Sequence, residues 1–200
     1  MKSIYKKINN PSEVFIIAEA GSNRKCGTRK QDIAQAKKLI KTASSCGADA
    51  IKFQTYDSSV YVKNAGMSNY LSKKGIRKSV NDIFDEFSMS YEILPTLKKF
   101  CQQYEIEFMS TPFSVKDVHA IDKFVNLHKL ASYEINHIPM LEALAKTKKP
   151  VIISTGASTL EEINFAMPSL VFNAILPTKP SHTITSKLPQ NISSPSTKPT

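Results

Sequence analysis

No run in the sequence approaches the roughly 18 consecutive apolar residues that a membrane-spanning helix needs. The lysines of its opening, MKSIYKKINNPSEV, are not followed by the apolar stretch of a secretion signal. Cysteine is scarce, and Cys26, Cys46 and Cys101 are odd in number and widely spaced. That excludes a disulfide framework and a zinc site built on cysteine pairs, and reduced thiols in a cytoplasm are the expectation. The four histidines, His119, His128, His137 and His182, show no metal-ligand spacing, and most of them are expected at the surface. Ser132 has no nearby histidine to suggest a nucleophilic triad. The Gly-rich nucleotide fingerprint is also lacking, because Ala20-Gly21-Ser22-Asn23 leads into no G-x-G-x-x-G.

Charge is abundant and of one sign, with a formal net charge of +10. The lysines and arginines are spread along the chain, densest at 24–30 and 73–78, and form no basic helix interleaved with aromatics. Nucleic acid is therefore not the expected partner. Attraction of small anionic substrates fits the same charge. An apolar fraction of 41% and a charged fraction of 22% over 200 residues describe one globular domain with a core.

The stretch Ala50-Ile51-Lys52-Phe53-Gln54-Thr55-Tyr56 is the most informative in the chain. Its β-branched and aromatic content reads as a strand, so Ile51, Phe53 and Thr55 share one face and Lys52 and Gln54 the other. A buried parallel strand is apolar on both faces, and an ammonium and an amide are costly to bury unpaired. Either the polar face meets an anionic or strongly polar group, or the strand lies at a wet edge.

Around it the chain alternates. Val14–Glu19 reads as a strand, Asp32–Ser45 as a helix capped by Asp32 and closed by Gly47, and 57–90 as a long polar connection with short helical pieces. Ser90–Tyr104 is a helix, Glu107–Ser110 a strand, Val115–Phe124 a helix and His128–Glu134 a strand. Ile138–Thr147 is a helix, Pro150–Ser154 a strand, and Ser158–Met167 a helix opened by a Ser158/Glu161 capping box. Five strand-then-helix units in succession imply a parallel sheet with right-handed crossovers, as an open doubly wound sheet or a (β/α)8 barrel. Polar residues close several strands: Glu19, Lys52 with Gln54, Ser110 with Thr111, Ser132 with Glu134, and Ser154 with Thr155. In a barrel those ends converge on one mouth, where barrel enzymes do chemistry, so the pattern favours an α/β (β/α)8 TIM barrel truncated to about five units.

Lys52 and Lys129 at such a mouth would hold a phosphate or carboxylate, with Thr111, Ser132 and Gln54 supplying hydrogen bonds. The alternative is two surface lysines on half-wet strands. Glu19 and Glu134 are the candidate carboxylates for acid–base work or for gripping sugar hydroxyls, or else they pair with those lysines.

The strings IIAEAGSN, GADAIKFQTY, EFMSTPFS, KLASYE and KPVIISTGAS, in that order over about residues 12–167, resemble the sialic acid synthase family. This family includes N-acetylneuraminate synthase and its pseudaminic and legionaminic acid synthase relatives. The resemblance implies a barrel that condenses phosphoenolpyruvate with an N-acetylated amino sugar, of the N-acetylmannosamine type, to a nine-carbon sialic-type acid with release of phosphate. By motif it assigns Lys52, Thr111, Lys129 and Ser132 to phosphoenolpyruvate, with Gln54 in the same mouth. Glu19 matches the acid–base carboxylate and Glu134 a carboxylate that contacts the sugar. It also implies a divalent metal ion (Mn or Mg) and a homodimer.

Three departures stand beside it. The family's Asn-His-x-Gly is replaced by Asn23 followed by Arg24-Lys25-Cys26-Gly27-Thr28-Arg29-Lys30-Gln31, without the histidine. The metal-binding histidines of the family's later strands and its C-terminal antifreeze-like domain, which completes the dimer, have no counterpart in the sequence. Residues 168–200 hold six of the eleven prolines, six serines and five threonines, with no Gly, Asp or Glu. That composition reads as a disordered tail, as from a shifted reading frame, with Leu170–Leu176 as a candidate sixth strand. The expectation is an isolated chain with little or no activity, or one that binds the anion without turnover.

Overall fold

A strand whose two faces are both covered needs helices on one side and something else on the other, and the arrangement of these layers decides the fold. In a computed structural model, residues 4–57 and 64–172 are described. The elements run α1 (Ile4–Ile8), β1 (Ile17–Gly21), α2 (Arg29–Ser45), β2 (Ala50–Thr55), α3 (Asn69–Ser72), α4 (Val80–Phe87), α5 (Leu94–Gln103) and β3 (Glu107–Pro112). They continue as α6 (Val115–Asp122), β4 (His128–Leu130), α7 (Ile138–Lys146), β5 (Val151–Ile153) and α8 (Leu160–Phe172). All pairings between these strands are parallel and follow chain order, as one sheet β1-β2-β3 and one sheet β4-β5. The strand carrying Lys52 is thus central in its sheet, which removes the wet-edge reading.

The helices cover one face only. Ile51 and Phe53 of β2 and Phe108 of β3 pack with Ala36 and Ile40 of α2 and with Leu94, Leu97 and Cys101 of α5. The Phe53 and Phe108 rings lie 6.1 Å apart between centroids, and burial pushes the Cys101 thiol up to about 12. Leu130 of β4 packs with Met140, Leu141 and Leu144 of α7 and Ala166 of α8. The opposite face forms its own apolar layer from Ala50, Met109 and Leu127, with Ile17 and Ile152 against it. Ile4 of α1 and Phe15 close that layer at the N-terminal ends of the strands. Helices in sequence order on one side and a side-chain-filled interior on the other describe a TIM-barrel-like arc rather than a doubly wound sheet.

Several boundaries differ from the sequence reading, each for a local reason. Thr28, not Asp32, caps α2: its hydroxyl accepts from the Gln31 N–H while the Gln31 side chain accepts from the Thr28 N–H. Asp32 instead turns back to accept from the N–H groups of Cys26 (2.8 Å) and Gly27 (3.1 Å) and from Lys25. β4 stops at Leu130, and Ser132–Glu134 form a 3-10 turn held by Glu134 N–H donating to Ala131 O. The capping box of α8 is Thr159 with Glu162, one residue on from Ser158/Glu161. The helix runs past Met167 to Phe172, so Leu170–Phe172 are helical rather than part of a sixth strand; the rest of the tail lies outside the described residues. His128 is fully buried, not at the surface, with Nε2 3.1 Å from Asp122 Oδ1. Burial pushes its imidazole below the usual range against the opposing pull of Asp122.

Burial pushes the Asp32 carboxyl up, but the N–H donors of Cys26 and Gly27 and the Lys25 ammonium outweigh it and hold the group below its ordinary 3.8. Asp49 is held down in the same way by the Ile16 N–H and Lys7. A carboxyl lowered on folding adds stability that is present above its ordinary value and lost as pH falls through the folded value. Asp117 acts with the opposite sign. Burial pushes it up despite donors from Tyr91, Ser114 and the Phe113 N–H, so its contribution is present at low pH and fades as pH rises through the folded value. His128, held below its ordinary 6.5, makes urea midpoints ease down once pH falls through that value, and the lowered carboxyls, in the majority, should make them fall steeply below about pH 4. Asp32→Asn should cost about 2 kcal/mol at pH 7 and flatten the acid limb; an unchanged acid limb would refute the assignment.

Candidate active site

A strand that enters the interior with an apolar side chain presents its next inward side chain two residues on. From Ile17, Ala50, Met109, Leu127 and Ile152, that step reaches Glu19, Lys52, Thr111, Lys129 and Ser154. The steps are staggered, because Lys52 is in register with Met109 and Lys129 with Ile152. On each strand, however, the polar side chain succeeds an apolar one toward the C-terminal end, and these ends form one polar layer. Lys52 Nζ forms an ion pair with Glu19 Oε2 and donates to Thr111 Oγ1 at 3.3 Å. Lys129 Nζ donates to Ser154 Oγ and to the Leu130 carbonyl, both at 2.5 Å. Burial pushes the Lys129 amine below the usual lysine range, the Lys52 ammonium pushes it the same way, and Glu19 opposes both. These three charged side chains thus share one electrostatic environment.

Gly21, at φ +51, ends β1 beside them. A Cβ there would stand 3.4 Å from Glu19 Oε1 and 4.0 Å from Gln54 Cδ, so Gln54 borders the same mouth. The outer hydroxyls are tied as well, with Thr55 and Ser110 bonded at 2.7 Å on the helix-facing side.

Glu134 is not joined to this cluster by any bond among the described residues. Its Oε2 lies 3.2 Å from His137 Nδ1 on the turn after β4. Ser132 begins that turn, and its carbonyl accepts from Ser158 at 3.5 Å. Of the sequence candidates, Glu19, Lys52, Gln54, Thr111 and Lys129 converge, while Ser132 and Glu134 stand on the adjoining turn. Ser154 belongs to the convergent set, and its signal was the strand-end position it shares with Lys129.

The replaced Asn-His-x-Gly segment also has a defined place. Arg24 is 4% exposed. Its Nη2 donates to the carbonyls of Ser88 (2.6 Å) and Phe87 (3.4 Å), and its Nη1 lies 3.6 Å from Asp32 Oδ2. It joins the loop after β1 to the connection after α4. A cleft of about 730 Å³ lies at the opposite end, against α1. Its Lys7 is paired with Asp49 and its Glu107 with Lys98, and its other charged lining residues, Glu13 and Glu105, are acidic, which does not suit an anion.

The NeuB family model matches residues 39–187. The chain belongs to the NeuB family, the sialic acid synthase-type proteins. The match runs past Met167 into the stretch that the composition had set apart. An uncharacterized Methanocaldococcus jannaschii protein, MJ1065, is 39% identical over 74% of this chain and 40% of its own length. The pseudaminic acid synthase of Campylobacter jejuni is 33% identical over 78% of this chain and 45% of its own. The crystal structure of N-acetylneuraminic acid synthetase from Leptospira borgpetersenii, in complex with citrate, superposes with a TM-score of 0.67 at 31% identity. It covers 82% of this chain, which covers 52% of it. The chain spans less than half the length of these two curated relatives.

Among the described residues, no group of three or more His, Cys, Asp or Glu side chains could hold a metal ion, and no helix is long and apolar enough to cross a membrane. The polar layer sets two ammonium groups beside one carboxylate, an excess of positive charge. Its electrostatics can be read directly: Lys52→Met should raise the pH midpoint of Lys129 modification by an amine reagent, and Glu19→Gln should lower it. Peptide mass spectrometry across pH measures both, and equal midpoints in all three proteins would refute the coupling.

Proposed function

We propose that this NeuB-family chain is the phosphoenolpyruvate-binding part of a sialic acid synthase-type enzyme, one that joins phosphoenolpyruvate to an N-acetylated amino sugar and releases phosphate. The observation that carries the reading is the pair of lysines at one strand-end layer, one ion-paired with a carboxylate and the other with none among the described residues. Phosphoenolpyruvate presents a phosphate and a carboxylate, and Lys52 and Lys129 are placed to meet them with Thr111 and Ser154. Ser132, three residues after Lys129, and Gln54, beside Gly21, complete the proposed anion contacts.

An arriving anion competes with Glu19 for Lys52. Once released, the Glu19 carboxylate is free to accept or deliver a proton where the enol carbon attacks the sugar aldehyde. Glu134, on the adjoining turn, is the proposed sugar contact. A divalent ion, manganese or magnesium, is part of the proposed whole reaction. The described residues do not supply its donors, and no step here is assigned to it. The product is a sialic-type acid, with the N-acetylmannosamine-derived acid first. Relatives named for pseudaminic and legionaminic acids support those sugars as the alternative. The family's homodimer and a cytoplasmic location complete the proposal.

Taken alone, the 200-residue chain is proposed to bind phosphoenolpyruvate without turnover, because β1 and β5 each leave an edge unpaired among the described residues. A thermal melt should therefore rise with added phosphoenolpyruvate, with and without manganese. Lys52→Ala should weaken that binding by about 2 kcal/mol, or roughly thirtyfold. Phosphate release with an N-acetylated amino sugar should be undetectable. A melt indifferent to phosphoenolpyruvate would overturn the binding reading, and rapid phosphate release would overturn the inactivity.

A further inference from the structure

The two lysines of the polar layer are not equivalent. Lys52 is ion-paired with Glu19. Lys129 has no carboxylate partner among the described residues; its amine is held only by two neutral acceptors, the Leu130 carbonyl and the Ser154 hydroxyl. It is half-buried, on a strand whose flanking residues, His128 and Leu130, are fully buried. Lys52 stands in the same mouth: its ammonium is bonded to Thr111 of β3, between β2 and β4, and Ala50, Met109 and Leu127, two residues before Lys52, Thr111 and Lys129, pack in one cluster. A half-buried lysine beside a second cation, hydrogen-bonded only to neutral acceptors and with the nearby carboxylate committed to that other cation, is the setting in which the free amine becomes available as a nucleophile toward carbonyl carbon.

We propose that Lys129 forms an imine with 2-oxo acids, a covalent chemistry additional to anion binding. The proposal rests on the reading of this layer as an anion mouth, since the carboxylate of the 2-oxo acid pairs with Lys52 and Thr111. That pairing presents the adjacent carbonyl carbon to Lys129 Nζ. The nitrogen lone pair forms the C–N bond, and the carbonyl oxygen takes up a proton to give a carbinolamine. The nitrogen then loses its remaining proton as the hydroxyl leaves as water, so amine plus 2-oxo acid gives imine plus one water. Glu19, released from Lys52 by the incoming carboxylate, is the group within this environment able to pass those protons. No oxidant or reductant takes part. Condensation of phosphoenolpyruvate with an aldehyde, followed by loss of phosphate, itself yields a 2-oxo acid, so the proposed ligand class arises at this mouth.

The test uses the full chain, pyruvate as the probe, and cyanoborohydride to reduce and fix any imine, followed by intact mass and peptide mapping. The expected result is one reduced pyruvyl group per chain, concentrated on Lys129 several-fold above every other lysine. Phosphoenolpyruvate should suppress it, and Lys129→Arg, which keeps the charge and removes the nucleophile, should abolish it. Label spread evenly over the lysines, label centred on Lys52, or equal label in Lys129→Arg would each overturn the proposal. The two readings separate cleanly. A phosphoenolpyruvate-dependent melt without Lys129 label refutes the imine alone, Lys129 label without such a melt refutes the phosphoenolpyruvate reading alone, and loss of both refutes both.

Discussion

An ammonium raised from the middle of a packed sheet has to find its counter-charge within the reach of its own side chain. In this NeuB-family chain Lys52 does so through Glu19, one strand away. Everything above the apolar layer follows from that constraint. Because β2 is flanked on both sides, Lys52 cannot turn to solvent at an edge. Because inward positions repeat every two residues, the step from Ala50 to Lys52 is matched by the step from Ile17 to Glu19, level with Lys52. Thr111 stands one inward step beyond Met109, level with Gln54, and is reached by the long Lys52 side chain. The ion pair leaves Lys129, two strands further along, with only neutral acceptors of its own among the described residues.

The fold distributes its burdens accordingly. Helices take one face of the strands, where Phe53, Phe108, Leu97 and Leu130 exclude water. The inner face is stratified, with apolar side chains and α1 at one end and charge at the other. Such stratification keeps the cost of the charged layer local, since the lysine stems run along apolar neighbours while the ammonium groups meet oxygen.

Much of this was legible in the sequence, and the parts that were not share a cause. Alternation along 50–56 identified which residues of β2 face the helices, because period two is a property of the strand itself. The five strand–helix units and the convergence of Glu19, Lys52, Gln54, Thr111 and Lys129 followed from strand-end chemistry. The caps did not. Ser158/Glu161 and Thr159/Glu162 are overlapping frames of one signal. What chooses between them is remote: Asn136 donates to Glu162 at 2.7 Å, and Ser158 is drawn to the Ser132 carbonyl. Asp32 resembles a cap in sequence, but Arg24, Lys25 and two backbone N–H groups claim it in space. His128 reads as a surface residue until Asp122, six residues back, supplies its partner. Ser154 was visible only as a serine at a strand end, and serines at strand ends are common.

The buried Arg24 has a bearing on how this scaffold can be recombined. Its guanidinium spans two stretches far apart in the chain, the turn after β1 and the carbonyls of Phe87 and Ser88. Those stretches form one module split by sequence. Transplanting into residues 22–31 a turn without an arginine at this place would leave the carbonyls of Phe87 and Ser88 without their donor, and importing a foreign connection in place of 64–90 would strand the guanidinium. Chimeras of this chain are best cut so that both pieces come from the same parent.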